Sequence, residues 1–175
     1  MKTTMLARAA VGALALATIA GCNQKSSFTL SETFEINGTG SDDSTMNVNL
    51  ADIAGNAWDQ RKHVKDATIT SAVGYIRKVY ADDDATQATG YATIARPSGT
   101  PVTAAEATSA SPVAISTTAW LAAKDLDGTA AVIKDALKGD GALTLVTHAD
   151  ATGGTGHVHI DVEVVIDVEV SWSLF

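Results

Sequence analysis

The amino-acid sequence predicts an all-β fold, an antiparallel β-sandwich with one or two short peripheral helices. Apolar and polar residues alternate with period two over much of the chain, in segments rich in Val, Ile, Thr and aromatic residues. Clusters of Gly, Asp, Ser and Pro separate these segments, as turns separate the strands of antiparallel sheets. The size of the chain suits a single domain, which we expect to span residues 28–175.

The predicted strands follow one another with few interruptions. Turn residues fill 37–43, and the acidic run Asp82, Asp83 and Asp84 predicts a second, solvated turn. Residues 96–112 contain all three prolines, so we expect a long loop or an edge region there. In chain order, strands are expected at 28–36, 46–50, 67–80, 90–95, 113–118, 143–150 and 158–172.

Two segments have helical spacing. The first begins near Leu50 and predicts a short helix that lays Trp58 on the sheets. In the second, Ile133 and Leu137 share one face, Asp127 can cap the N-terminus, and Gly139 can adopt the left-handed conformation after the C-terminus. These two segments are the expected peripheral helices.

The segment from Val158 to Trp172 has the most regular alternation. Every even-numbered residue in it is apolar or aromatic, which indicates that one face stays buried without a bulge. A strand of this length would extend for about 50 Å. Because this exceeds the usual strand length, we expect the strand to bend or to pair with different neighbours at its two ends.

The candidate metal ligands are His148, Asp150, His157 and His159. Residues 143–150 predict a hairpin partner for the C-terminal strand, joined to it by the loop 151–156. With Asp150 opposite His157, all four side chains fall on the outward side of the hairpin. Imidazole and carboxylate groups suit zinc or copper. Two interpretations stay open at this point: a metal site, or solvated side chains beside a loop with no cofactor.

Four acidic residues share the polar face of the C-terminal strand, namely Asp161, Glu163, Asp167 and Glu169. Clustered carboxylates are the ligands that calcium prefers. Alternating acids also keep a long strand soluble and discourage pairing at a sheet edge. The second interpretation is the simpler one.

The sequence contains none of the common catalytic motifs that we sought. It has no Gly-x-Ser-x-Gly elbow, no phosphate-binding loop and no His-Glu-x-x-His. The chain is therefore expected not to be an enzyme.

The segment 1–21 has the order of a secretory signal peptide. Lys2 and Arg8 give a positive start, residues 9–19 are apolar, and Ala20 and Gly21 are small. The sole cysteine of the chain, Cys22, follows directly.

The run Ile19-Ala20-Gly21-Cys22 resembles the lipobox of bacterial lipoproteins. The resemblance implies that the signal peptide 1–21 is removed, that Cys22 becomes the lipidated N-terminus, and that residues 22–27 form a tether. The residue after the cysteine is Asn23, and the absence of aspartate there is similar to the pattern for outer-membrane sorting. The resemblance thus implies a lipid-anchored protein of the bacterial cell envelope, with the outer membrane as its expected location.

Charge narrows the range of partners. Without residues 1–21 the chain has ten basic and twenty acidic residues, a formal charge of −10. Such a surface argues against nucleic acid as a partner, and membrane contact is expected through the lipid on Cys22.

Three function classes follow from these observations. The leading class is a lipid-anchored envelope protein with a non-enzymatic binding or structural role, whose partner is an envelope or surface protein. The second is a metal-binding lipoprotein that uses the histidine cluster. The third is a surface assembly subunit that pairs through its long C-terminal strand.

Overall fold

The computed structural model describes residues 23–107, 113–115 and 119–173. The predicted signal peptide and Cys22 lie outside these residues, as does part of the predicted strand 113–118. The described chain is predominantly antiparallel β-structure with a few short helices, which confirms the predicted fold class.

The strands and helices lie in the following order. The strands are β1 (Asn23–Thr39), β2 (Ser41–Asn49), β3 (Val64–Val79), β4 (Gln87–Ala95), β5 (Val102–Ala107), β6 (Val113–Ala114), β7 (Ala119–Ala123), β8 (Ala142–Thr152) and β9 (His157–Ser173). The helices are α1 (Leu50–Ile53), α2 (Asn56–Asp59), a 3₁₀ turn (Arg61–His63) and α3 (Leu126–Lys138).

The strands form one hydrogen-bonded path in the order β1-β9-β3-β7-β5-β4-β8-β2, with β6 beside β4. One layer is β1-β9-β3 and the other is β5-β4-β8-β2, and the short strand β7 joins β3 to β5. The two ends of the path meet at Gly40, the single residue between β1 and β2, which has a φ of 83°. The described strands thus enclose one apolar core in a nearly closed sheet.

Strand β9 lies in the middle of its layer. It pairs with β1 from His157 to Ser173, and with β3 over most of the same length. The even-numbered side chains from Val158 to Trp172 are buried, which confirms the predicted face.

The expectation of different neighbours at the two ends of β9 is wrong. The two flanking strands are about as long as β9, so each follows it almost end to end. The register shifts lie between β9 and β3, and the alternation of β9 itself is unbroken. Because both sides of β9 are paired within the chain, it has no free edge for another copy, and the assembly hypothesis through this strand is also wrong.

The predicted hairpin between β8 and β9 does not form. Strand β8 pairs with β2 and β4, and its connection to β9 passes from one layer to the other. Leu143, Leu145 and Val158 are buried as expected, because the apolar faces of both strands point into the same core. Alternation therefore predicted the face of each strand correctly, but it does not specify the neighbouring strand.

The predicted tether is part of β1. Residues 24–27 pair with residues 169–172 of β9, and the Lys25 Nζ lies 2.6 Å from the Glu169 Oε1. The chain is ordered here because β9 extends far enough to provide backbone partners for these polar residues. Residues 24–27 therefore belong to the sheet.

The first predicted helix is divided into α1, α2 and the 3₁₀ turn. Gly55 interrupts it with a φ of 48°, a left-handed conformation that ends α1. Trp58 packs against the core, as expected.

The second predicted helix is α3, but both of its caps differ from expectation. The Asp125 carboxylate, rather than Asp127, accepts the bond from the Gly128 N–H. Gly139 has a φ of −101°, and the left-handed residue after the helix is Gly141. Helix α3 lies against β3 and β5. These two strands are linked by only a few residues of β7. Ile133 and Leu137 of α3 are fully buried.

The predicted proline-rich loop is also partly wrong. Strand β5 lies within it and pairs with β4 and β7, and its residues Ala104, Ala105 and Ala107 are buried. None of the helices in the described part of the chain is both long and apolar enough to cross a bilayer.

Candidate functional site

The four predicted metal ligands do not form one site. His148 and Asp150 lie on β8, whereas His157 and His159 lie on β9 in the other layer. The four-residue site depended on the β8–β9 hairpin, which the chain does not form. The predicted cluster is therefore divided into two groups with different partners.

In the first group, His148 lies between two carboxylates. Its Nδ1 is 2.7 Å from the Asp43 Oδ1, and its Nε2 is 3.1 Å from the Asp150 Oδ1. The ring also stacks on Tyr91, with 4.8 Å between the ring centroids. Burial disfavours the charged ring, but the hydrogen bonds and charges of Asp43 and Asp150 outweigh burial and raise the pKa of His148. Both ring nitrogens thus have partners, and the group acts as an ion pair that links β2 to β8.

In the second group, His157 and His159 lie beside Asp82. The His159 Nδ1 is 2.7 Å from the Asp82 Oδ1, and the His157 Nε2 is 3.6 Å from the Asp82 Oδ2. One ligand atom from each residue lies within 4.8 Å of the other two, and among the described residues only these three form such a group. This cluster is the candidate site.

The His159 ring is fixed on its other sides. The ring stacks on Tyr80, with centroids 3.7 Å apart and planes inclined by 7°. Its Nε2 is 3.2 Å from the Glu35 Oε1 on β1. Its side chain is only 12% exposed, so its orientation depends on these neighbours.

The segment that holds Asp82 is bonded to the backbone of β9. The His157 N–H donates to the Asp84 Oδ1 and the His159 N–H to the Asp83 Oδ2, at 2.9 and 2.7 Å. The Tyr80 N–H donates to the His159 carbonyl. The sequence interpretation of Asp82, Asp83 and Asp84 as a solvated turn was incomplete, because each carboxylate has a partner on or next to β9.

The pKa values in this cluster follow from its contacts. Burial lowers the pKa of His159, but bonds and charges from Asp82 and Glu35 outweigh burial, so the net shift is upward. The bond from His159 lowers the pKa of Asp82, and the bond from Thr155 lowers that of Asp84. These contacts therefore favour positive charge on the His159 ring and negative charge on the Asp82 and Asp84 carboxylates.

The acidic residues on the outer face of β9 bind neighbouring strands separately. Glu163 accepts a bond from the Ser31 hydroxyl and pairs with Arg77, and these contacts lower its pKa despite partial burial. Asp167 accepts a bond from Thr29, and Asp161 accepts one from Tyr80. They cannot protect a sheet edge, because β9 lies inside the sheet. Cross-strand bonding accounts for them without calcium.

Sequence reasoning missed Asp82, Glu35 and Tyr80 as members of the site. The acidic run at 82–84 was visible, but the sequence does not show that the β3–β4 connection returns to the start of β9. Glu35 was one of several polar residues on the first strand, and only the β1–β9 register brings it to His159.

Comparison with known proteins adds little. No protein-family model and no curated protein matches the chain. It is similar to a chain in a solved structure of Desmodium yellow mottle tymovirus, with 13% identity over 93% of this chain and 95% of that one. The TM-score is 0.28, which is too low to indicate a shared fold.

Proposed function

We propose that this protein is a lipid-anchored protein of the bacterial envelope, with its lipid on Cys22 and a non-enzymatic binding or structural role. One observation supports this most directly. Cys22 adjoins the start of β1, and acidic side chains gather at the opposite end of the sandwich.

The register defines the two ends of the molecule. At one end Asn23 pairs with Ser173, and Val64 pairs with Trp172. At the other end Thr39 pairs with His157, and Val79 pairs with Ile160. We call these the anchor end and the far end. The length of β1 separates them by about 50 Å.

Charge differs between the two ends. The anchor end has basic and acidic residues in similar numbers, which are Lys25, Arg61, Lys62, Lys65, Arg96, Asp52, Asp59, Asp66, Asp140 and Glu169. The far end is rich in acids, which are Glu35, Asp42, Asp43, Asp82, Asp83, Asp84, Asp150 and Asp161. A lipid attached beside β1 would hold the acidic end away from an anionic membrane surface, where it would be repelled.

The all-β architecture is consistent with a binding or structural role. Apolar side chains fill the interior between the layers, and the paired ionisable groups of the far end lie on the outer faces. Binding at such a surface needs no enclosed cavity. The far end is thus the surface that the protein would present to a partner in the envelope.

The anchor is tested by expressing the full chain, and its Cys22→Ser variant, in a bacterial host with radiolabelled palmitate. We expect the wild-type chain to take up label, to enter the membrane fraction and to lose residues 1–21. The variant should take up no label and keep these residues, because the modified thiol is absent.

Ser27→Ala is the matched control, since it changes a nearby exposed hydroxyl and leaves the lipobox intact. It should be labelled like the wild type. Unlabelled wild-type protein whose intact mass shows a free Cys22 would refute the anchor.

A further inference from the structure

We propose that Asp82, His157 and His159 bind one divalent transition-metal ion, zinc above all, at the far end of the sandwich. The site differs from the four-residue cluster predicted from sequence, because Asp82 replaces the β8 residues. It goes beyond the proposed anchor function, since it assigns a ligand to the far end of the sandwich.

The donor atoms are spaced for a single ion. Bonds of about 2.0–2.1 Å in a tetrahedral zinc site place neighbouring ligand atoms about 3.3 Å apart. The Asp82 Oδ2 is 3.6 Å from the His157 Nε2, and its other oxygen is 2.7 Å from the His159 Nδ1. The three donor atoms lie within 4.8 Å of one another, so small movements of the exposed Asp82 carboxylate and of the two rings would close them around one ion. Three protein ligands would leave a fourth position open to water or a partner.

The backbone already holds the donors together. His157 and His159 are two residues apart on a central strand, so both rings lie on the same face. Bonds from their N–H groups to Asp84 and Asp83 fix the segment that contains Asp82. An ion would therefore need to order few additional groups when it binds, which favours affinity.

The contacts around His159 are those of an oriented metal ligand. When the Nδ1 faces an ion, the Nε2 carries the proton and can donate to the Glu35 carboxylate, 3.2 Å away. A carboxylate that accepts from the distal ring nitrogen fixes the tautomer and increases the basicity of the ligating nitrogen. Tyr80, stacked on the same ring, holds its plane.

Charge around the cluster favours a cation. Five acids lie near the two histidines, which are Glu35, Asp82, Asp83, Asp84 and Asp161. The nearby lysine is Lys78, whose ammonium lies over the Tyr80 ring at 3.5 Å. These carboxylates carry more negative charge than Lys78 neutralises. A divalent ion would therefore reduce the repulsion among the carboxylates.

The donor types select the class of metal. Two imidazoles and one carboxylate suit zinc, copper or nickel, whereas calcium and magnesium prefer oxygen ligands throughout. His148 provides a matched comparison, because it also lies beside two carboxylates but has one imidazole whose nitrogens both have acidic partners.

The test uses the full chain purified in detergent, stripped with a chelator and titrated with Zn²⁺ by calorimetry. We expect one saturable site. His157→Ala and Asp82→Asn should each weaken binding at least tenfold, and His148→Ala should leave it unchanged. Ca²⁺ should produce no saturable heat.

The same titration of Cys22→Ser excludes the thiol as a ligand and keeps this test independent of the anchor. A variant that binds zinc normally supports the site even if Cys22 proves unmodified. Circular dichroism reports whether each variant is folded. Asp82→Asn is the decisive variant, because its exposed side chain can change without loss of core packing.

The proposal is overturned if the wild-type chain has no saturable zinc site. It is also overturned if a folded Asp82→Asn variant binds zinc as tightly as the wild type, or if His148→Ala weakens binding as much as His157→Ala.

Discussion

At the residue scale, the surroundings of each histidine decide its role. His148 is held by Asp43 and Asp150, and both of its ring nitrogens are occupied. His159 has a similar pair of carboxylates, but a second imidazole, His157, also faces Asp82. The extra imidazole distinguishes a candidate metal site from an ion pair. A sequence shows that histidines are present, but only the fold shows which acids surround them.

The raised pKa of His148 predicts a pH dependence of stability. A group whose pKa is higher in the folded state stabilises it fully below its unfolded value, near 6.5, and loses this effect as the pH rises through the folded value. We expect the melting temperature, measured with a chelator present, to fall as the pH rises above about 6.5.

His148→Gln should reduce the dependence of the melting temperature on pH. The corresponding loss in the free energy of unfolding should not exceed about 1 kcal/mol, the range of partly exposed ion pairs. Lys62→Gln, at the anchor end, should leave the pH profile unchanged. A profile of His148→Gln identical to that of the wild type would contradict the role of this pair.

At the element scale, strand alternation and helical spacing identify an element more reliably than they identify the element it packs against. The pattern correctly located the buried face of β9, because side chains of a strand alternate whatever lies beside it. It missed β5 and β7, which are short and rich in alanine, so their alternation is weak. Helix α3 was recognised because Ile133 and Leu137 repeat at helical spacing, and the structure shows what they cover: the seam between β3 and β5.

The packing of α3 predicts a large effect of Ile133→Ala. The Ile133 side chain is fully buried, so its truncation removes apolar contacts and leaves a cavity. We expect a loss of about 2–4 kcal/mol in the free energy of unfolding, measured with urea. Lys138→Ala on the exposed surface of the same helix is the control, with a change below about 0.5 kcal/mol. Equal losses in the free energy of unfolding for the two substitutions would contradict the packing of Ile133 into the core.

At the scale of the whole molecule, the arrangement of strands accounts for both ends of the protein. The central strand β9 begins at the far end with His157 and ends at the anchor end with Ser173. Its neighbours β1 and β3 run against it, so the start of the described chain lies at the anchor end and the β3–β4 connection at the far end. This topology brings Asp82 to the histidines and places them at the opposite end of β1 from Asn23.

The topology also predicts an order of local stability. Amide hydrogen exchange, followed by mass spectrometry, should be slowest in β9, because strands pair with it on both sides. Strand β2 lies at the end of the hydrogen-bonded path and pairs with β8, so its amides should exchange faster. Protection of β2 peptides equal to that of β9 would contradict this order.

The sequence by itself determined the all-β class, the buried face of β9, the presence of α3 and the resemblance of the run ending at Cys22 to a lipobox. These features depend on local spacing or on short contiguous motifs. The tertiary structure decided that β8 and β9 lie in different layers, that residues 24–27 belong to a strand, and that Asp82 rather than His148 joins His157 and His159. The physical reason is that the apolar face of a strand is stabilised by burial against any other apolar face. The choice of partner among several such strands depends on the closure of the whole sheet.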